Sequence, residues 1–218
     1  MPDETKTRLD GFLEEFQAEC DNAVSLYHTA LALHNTQPEM FSEAMKNMLT
    51  ESVVLQLFGR WERFLESIFI EYMCGGKSAN GSAAVRYVFP TGAEHAYQLV
   101  QNVNAYPDWA DLEKVSKNAN NFFENGGPFG VLNTMKAEIN AIRKVRNAIA
   151  HTSKNATEKF EDLVRGKVGY LPERITPAKF LSEYKIGKRK KDPTFCEHYI
   201  EYLKSVAGIL VEYSVEPQ

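Results

Sequence analysis

The apolar side chains of this sequence recur at spacings of three and four residues over long stretches. This spacing runs through residues 4–34, and it recurs in VLQLFGRWERFLESIFIEYM, residues 54–73. It places one apolar face along a helix of 3.6 residues per turn. Similar stripes lie near the middle of the chain and in its last segment. The sequence therefore predicts an all-α fold, an antiparallel helical bundle with loops inserted between its long helices.

Capping and helix-breaking residues set the expected helix boundaries. The glycines at 75–76 end the second long helix, and residues 77–90 are expected to form a loop. The stretches TGAE and TFCE have the spacing of capping boxes, so helices are expected to begin at Thr91 and Thr194. Further helices are expected over 108–123 and 128–151, one or two helical turns over 155–165, and irregular or weakly β chain over 166–177.

The length of 218 residues suits a single helical domain over residues 1–218, with a basic insert at about 165–193. Such a chain buries a sizeable core without disulfides or metal. The cysteines, Cys20, Cys74 and Cys196, are odd in number and far apart, which favours a reducing compartment and small buried side chains. We expect a cytoplasmic protein without membrane contact, because the sequence shows neither signal-peptide features nor a long apolar run.

Positive charge is concentrated in one part of an acidic chain. Residues 136–191 carry 15 Lys and Arg against 6 Asp and Glu, a charge of +9, whereas the rest carries −13 and the total is −4. A segment with this excess of cations can bind a polyanion locally, although the whole surface does not attract one. Within it, KIGKRKKDP predicts a basic loop whose cations, Lys188 to Lys191, are either an outlying nucleic-acid contact or an ordinary solvated surface.

The helix expected over residues 128–151 carries an arginine on its apolar face. With Ile142 at zero on an ideal helix, the apolar residues lie within about 60° and Arg146 lies at about 40°. A guanidinium there is costly unless its head reaches solvent or a partner. Arg146 and His151 therefore form either a functional site or a pair of ordinary helix-end groups. The apolar stripe consists of Val131, Met135, Ile139, Ile142, Val145 and Ile149.

The stretch RNAIAH resembles the ribonuclease motif of the HEPN superfamily, in which an arginine, a polar residue and a later histidine lie near the end of a core helix. Arg146, Asn147 and His151 match this motif position by position. Trp61 and Glu62 resemble the Trp-Glu helix that precedes the motif helix in several prokaryotic HEPN families. The order of helices is also similar over most of the chain.

The resemblance implies an HEPN-like bundle that acts as a metal-independent endoribonuclease, with RNA as its partner and no cofactor. It also implies a toxin–antitoxin or phage-defence context, in which an antitoxin or defence-system protein is a candidate partner. Ser153 stands where HEPN proteins that pair with a nucleotidyltransferase often carry a tyrosine, so that pairing is not implied. The residues that flank the motif and are expected to contact the RNA backbone are Arg143, Lys144 and Lys154.

The residue types of the motif suit cleavage by the 2′-hydroxyl of RNA. An imidazole near neutrality can transfer protons, and an arginine can hold two phosphate oxygens at once. Asn147, one helical turn before His151, is placed to orient the imidazole or to contact phosphate. On an ideal helix Arg146 and His151 point about 140° apart and lie about 7.5 Å apart along the axis, an awkward arrangement around one phosphate. We therefore expect a homodimer in which two motifs share a cleft, as in HEPN ribonucleases.

Other kinds of site have little support in the sequence. The remaining histidines have no partners at metal-ligand spacing, and P-loop, dinucleotide-binding and nucleophile-elbow motifs are missing, so we expect no metal and no cofactor. Trp61 lies on an apolar stripe and is interpreted as packing. One alternative is a non-catalytic HEPN-like module that binds RNA or a partner protein. Another is a plain helical scaffold in which Arg146 caps the helix end.

Overall fold

The computed structural model describes residues 7–103 and 107–214, and these residues confirm the predicted all-α helical bundle. Only isolated β-bridges occur beside the helices in the described ranges. A 3-10 segment, Glu124–Phe129, separates the fourth and fifth helices. The helices are α1 Arg8–Thr36, α2 Glu43–Met73, α3 Ala93–Val103, α4 Leu112–Phe122, α5 Leu132–Ala150, α6 Lys154–Val168, α7 Pro177–Glu183 and α8 Phe195–Val211.

The two predicted capping boxes have different outcomes. At the start of α8 the backbone N–H of Thr194 donates to Glu197 Oε2 over 2.7 Å, and the N–H of Glu197 donates to Thr194 Oγ1 over 3.3 Å. This reciprocal pair is the predicted box. At Thr91 the backbone N–H instead donates to Nδ1 of His95 over 3.2 Å. The third helix then begins at Ala93, two residues later than predicted.

The chain between residues 154 and 183 contains more helix than the sequence indicated. Helix α6 has 15 residues rather than one or two turns, and it ends at Gly169, whose φ of 91° suits a glycine. Helix α7 was not predicted, because it follows the stretch 166–177 that was expected to be irregular or weakly β and overlaps it only at Pro177. Thr176 caps α7 by accepting the N–H of Lys179, and Pro177 occupies its first turn, where proline is favoured.

The chain divides into two compact units, and the boundaries fall within α1, α2, α5 and α8. Unit 1 comprises Met1–Gln17, Trp61–Ala137 and Lys204–Gln218. Its core is aromatic: Trp61 is fully buried, with ring centroids 5.8 Å from those of Phe16 and of Phe64. This burial agrees with the interpretation of Trp61 as packing. The ring of Phe69 contacts the rings of Trp109, Phe122, Phe123 and Phe129.

Unit 2 comprises Ala18–Arg60 and Glu138–Leu203, and it contains the candidate motif. Phe180 of α7 stacks on Phe195 of α8 at a centroid distance of 4.3 Å. The buried hydroxyl of Tyr27 in α1 donates to Thr194 Oγ1 over 3.1 Å. These contacts tie α7 and the start of α8 into one core.

The cysteines follow the burial expected for small apolar side chains at two of three positions. Cys20 and Cys196 are buried, Cys74 is partly buried, and all three are free thiols. Burial raises the pKa of the Cys196 thiol, which keeps it in the protonated form. Across the described ranges, none of the helices combines the length and apolar character needed to cross a membrane.

Candidate functional site

The motif histidine lies at a sharp corner between two helices. Helix α5 ends at Ala150, and the N–H of His151 still donates to the carbonyl of Asn147 over 2.9 Å. Only residues 151–153 separate α5 from α6. Ser153 caps α6, because its hydroxyl accepts the N–H of Ala156 over 3.3 Å. The chain therefore turns directly after His151, whose side chain is exposed.

A shallow cleft of about 150 Å³ occupies this corner. Three of the six predicted site residues line this cleft. Lys144 and Asn147 belong to α5, and His151 directly follows it. The start of α6 supplies the opposite wall. The residues on that wall are Ser153, Asn155, Ala156 and Lys159.

The lining of the cleft favours an anion. Among the residues that the structure describes, it is lined by two lysines, Lys144 and Lys159, and by no Asp or Glu. Asn155 and Ala156 lie in the first turn of α6, a 15-residue helix whose N-terminus carries partial positive charge although Ser153 caps one of its N–H groups. A phosphate at this corner would meet two ammonium groups, a helix N-terminus and an imidazole.

Arg146 lies beside the cleft rather than on its lining. Its Nη1 donates to Oδ1 of Asn147 over 3.1 Å, so Asn147 connects the guanidinium to the cleft. Its neighbours on the helical stripe, Ile142 and Val145, are buried, whereas Arg146 is only half-buried. The guanidinium thus avoids most of the cost of an apolar environment. Its catalytic and helix-capping interpretations both stay predictions.

The other two predicted RNA contacts are not on the cleft. Arg143 is half-buried on α5. Lys154 is about 90% exposed and forms an ion pair with Glu158 over 3.7 Å, a surface contact worth little energy. Lys159 and Asn155 were not predicted as site residues, although both lie within the helical turns expected over 155–165 and their spacing of four residues places them on one face. The sequence did not indicate that this face meets the end of α5.

The sequence analysis also missed a charged cluster around Glu138. This residue lies on α5 at about −40° from Ile142, within the same stripe as Arg146. Its Oε1 lies 3.0 Å from Nε2 of His198 on α8, and its other oxygen accepts from the ammonium of Lys167 on α6. Burial and, secondly, the charge of Glu138 raise the pKa of Tyr202. The cluster connects three helices, which shows that a charge on this stripe can serve packing alone.

No group of three or more His, Cys, Asp or Glu side chains in residues 7–103 and 107–214 is arranged to hold a metal ion. Comparisons with models of protein families, with curated proteins and with solved structures found no match to this chain.

Proposed function

We propose that this protein is a metal-independent, HEPN-like endoribonuclease that cleaves RNA by attack of the 2′-hydroxyl on the adjacent phosphorus. One observation carries the proposal. Asn147 and His151 line a cleft together with Lys144 and Lys159, and the guanidinium of Arg146 is bonded to Asn147. These are the residue types that positioning a phosphate and moving its protons require.

The reaction follows from these groups. A phosphodiester held by Lys144, Lys159 and the first turn of α6 brings its 2′-hydroxyl to the imidazole of His151. The neutral imidazole takes the hydroxyl proton while the 2′-oxygen bonds to phosphorus and the bond from phosphorus to the 5′-oxygen breaks. The products are a 2′,3′-cyclic phosphate and a 5′-hydroxyl. The guanidinium of Arg146, which is bonded to Asn147, supplies positive charge that stabilises the dianionic transition state.

The proton that the leaving 5′-oxygen needs supports the proposal of a homodimer. One neutral imidazole cannot accept the 2′-hydroxyl proton and donate to the leaving oxygen in the same step. His151 is the single histidine among the residues that line the described cleft. In a two-fold dimer built around this corner, His151 of a second copy supplies the acid. By resemblance, such a dimer acts in the cytoplasm within a toxin–antitoxin or phage-defence system, restrained by an antitoxin or another defence protein.

The proposal is tested by incubating the protein with mixed RNAs in excess EDTA and identifying the product ends. Cleavage should persist in EDTA and leave 2′,3′-cyclic phosphates and 5′-hydroxyls. His151→Ala should reduce the rate by about 10²- to 10⁴-fold with an unchanged melting temperature. Thr152→Ala is the matched control, because Thr152 is exposed and does not line the cleft. Intact RNA with wild-type protein, 5′-phosphate ends, or an active His151→Ala variant would refute the enzyme.

A second candidate function is a non-catalytic module that binds RNA. It is favoured by the imidazole of His151, which has no hydrogen bond to another side chain in the part of the chain that the structure describes. A catalytic imidazole is usually oriented by such a partner. This candidate predicts RNA binding without cleavage, and equal binding by wild type and His151→Ala.

A further inference from the structure

The predicted basic loop is a short, closed hairpin in unit 2. We call residues 184–195 the basic hairpin. The N–H of Ile186 donates to the carbonyl of Pro193 over 3.1 Å, and the N–H of Phe195 donates to the carbonyl of Tyr184 over 3.1 Å. Between these bonds, Lys185 and Thr194 form an antiparallel bridge. The backbone of the basic hairpin is therefore paired at its base.

The tip of the basic hairpin is held by its own polar groups. The ammonium of Lys185 donates to the carbonyls of Lys190 and Asp192. The carboxylate of Asp192 accepts the N–H of Arg189 over 2.8 Å. A Cβ at position 187 would collide with this carboxylate, so Gly187 permits the close approach. The tip thus has a fixed shape before any ligand arrives.

The base of the basic hairpin is anchored in the core of unit 2. Thr194 is buried, forms the capping box of α8 and accepts a hydrogen bond from Tyr27. Phe195 is buried against Phe180 of α7. A movement of the base would break these contacts, so the helices of unit 2 hold the base of the basic hairpin in place.

Four cations at the tip face solvent without a carboxylate partner. Lys188, Arg189, Lys190 and Lys191 are all exposed, and within residues 7–103 and 107–214 none of their side chains forms an ion pair. Three other cations of the insert have carboxylate partners: Arg165 pairs with Asp162, Lys167 with Glu138 and Arg174 with Glu173. The tip therefore holds four neighbouring cations that form no ion pair within the described ranges.

An exposed aromatic ring lies near the base of the basic hairpin. Tyr170, in the loop that follows α6, has 59% of its surface exposed. Burial and, secondly, the neighbouring Tyr170 raise the pKa of Tyr184, the first residue of the basic hairpin, so the two side chains lie close together. Large exposed aromatic rings beside unpaired cations are characteristic of surfaces that bind single-stranded nucleic acid, where bases stack and phosphates meet the cations.

We propose that the basic hairpin and Tyr170 form a binding site for single-stranded RNA, separate from the cleft at the end of α5. The proposed ribonuclease function supplies the choice of RNA as the ligand. The cations of the tip hold the backbone phosphates, and the ring of Tyr170 stacks on an unpaired base. The bases of a duplex are covered by their neighbours, so this site selects single strands.

The test uses a fluorescein-labelled 16-nucleotide oligouridylate with 2′-O-methyl groups throughout, which cannot be cleaved by 2′-hydroxyl attack. Binding is measured by fluorescence anisotropy over a range of salt concentrations. Lys188→Ala/Lys190→Ala should weaken binding about tenfold and reduce the salt slope by roughly 1.4, since each lost phosphate contact removes about 0.7. The matched control is Lys114→Ala/Lys117→Ala, which removes two exposed lysines of α4 and should bind within about twofold of wild type.

Tyr170 is tested separately with the same probe. Tyr170→Ala should weaken binding about fivefold or more, whereas Tyr170→Phe keeps the ring and should bind like wild type. A 16-base-pair 2′-O-methyl duplex should bind more weakly than the single strand and should not respond to Tyr170→Ala. Equal binding by both lysine variants, or a duplex that binds as tightly as the single strand, overturns the proposal.

Binding and cleavage can fail independently in this design. If the wild-type protein cleaves no RNA but binds the probe through the basic hairpin, the binding site stands and the enzyme is refuted. If it cleaves RNA and the lysine variants bind the probe equally well, only the binding site is refuted.

Discussion

The cleft and the basic hairpin, two cationic regions of unit 2, differ in the chemical groups that accompany their positive charges. The cleft at the corner of α5 and α6 is concave and combines two lysines with the imidazole of His151, a group suited to proton transfer. The tip of the basic hairpin carries four exposed lysine and arginine side chains. A count of positive residues would rank the basic hairpin first.

The comparison teaches that charge density and chemistry are separate properties. The cleft has the groups that proton transfer needs, together with a guanidinium bonded to one of its walls. The basic hairpin has shape and charge but contains no histidine. If the proposals are correct, changes in the cleft alter kcat, and changes in the basic hairpin alter RNA affinity with kcat preserved.

The largest effect after removal of the imidazole should come from Arg146. Arg146→Ala should lower kcat by about 10²- to 10³-fold, since it removes preorganised charge from the transition state. The free energy of unfolding should change by no more than about 1 kcal/mol, because the residue is half-buried on an apolar stripe. Single-turnover cleavage and chemical denaturation measure the two quantities.

Arg146→Lys is the control for that variant. It keeps the charge but loses the planar fork, so its activity should lie between those of wild type and Arg146→Ala. An Arg146→Ala variant that cleaves at the wild-type rate while losing several kcal/mol of stability would establish the helix-capping role instead.

A smaller effect is expected from the lysine of the cleft that the sequence analysis missed. Lys159→Ala should lower kcat/KM about 10- to 100-fold, the range for loss of a charged hydrogen bond to phosphate. Lys154→Ala is its matched control, because Lys154 is on the same helix but pairs with Glu158 outside the cleft. The control should stay within about twofold of wild type. Equal losses of kcat/KM in the two variants would show that the cleft does not bind the phosphate of the substrate.

The smallest effect is expected from a substitution that changes the shape of the basic hairpin but leaves its charge unchanged. Gly187→Ala forces the tip of the basic hairpin apart, and binding of the 2′-O-methyl probe should weaken about threefold as preorganisation is lost. Gly166→Ala is the control, since a Cβ at that position in α6 meets no atom within 4 Å. It should bind the probe like wild type. A Gly187→Ala variant with unchanged affinity would mean that charge alone attracts the RNA.

The long helices were predictable from the sequence because one apolar face per helix repeats regularly. The start of α8 was also predictable, since Thr194 and Glu197 form the expected reciprocal bonds. The same signal at Thr91 was misleading, because His95 offers a competing acceptor one turn away. Helix α7 had its own signals in Thr176 and Pro177, but it is short, and tertiary burial of Phe180 contributes to its stability.

The candidate site was predictable only along α5. Lys144, Asn147 and His151 belong to one helix end, so their proximity follows from helical geometry. Lys159 reaches the cleft because α6 folds back after three residues, and a tertiary turn of this kind is not encoded in periodicity. The stripe was an ambiguous guide as well. It contains Arg146 and Glu138 in equivalent positions, and Glu138 is engaged in a packing cluster with Lys167 and His198.

The two ends of the basic hairpin differ in how many contacts of the fold they support. A substitution of Thr194 disturbs a helix cap, a buried hydroxyl pair and the bridge at once. Residues 188–191 contribute exposed side chains to none of these contacts. The side chains of the tip can therefore be replaced, in evolution or by grafting, without disturbing the helical bundle. Such a replacement changes which ligand the basic hairpin binds.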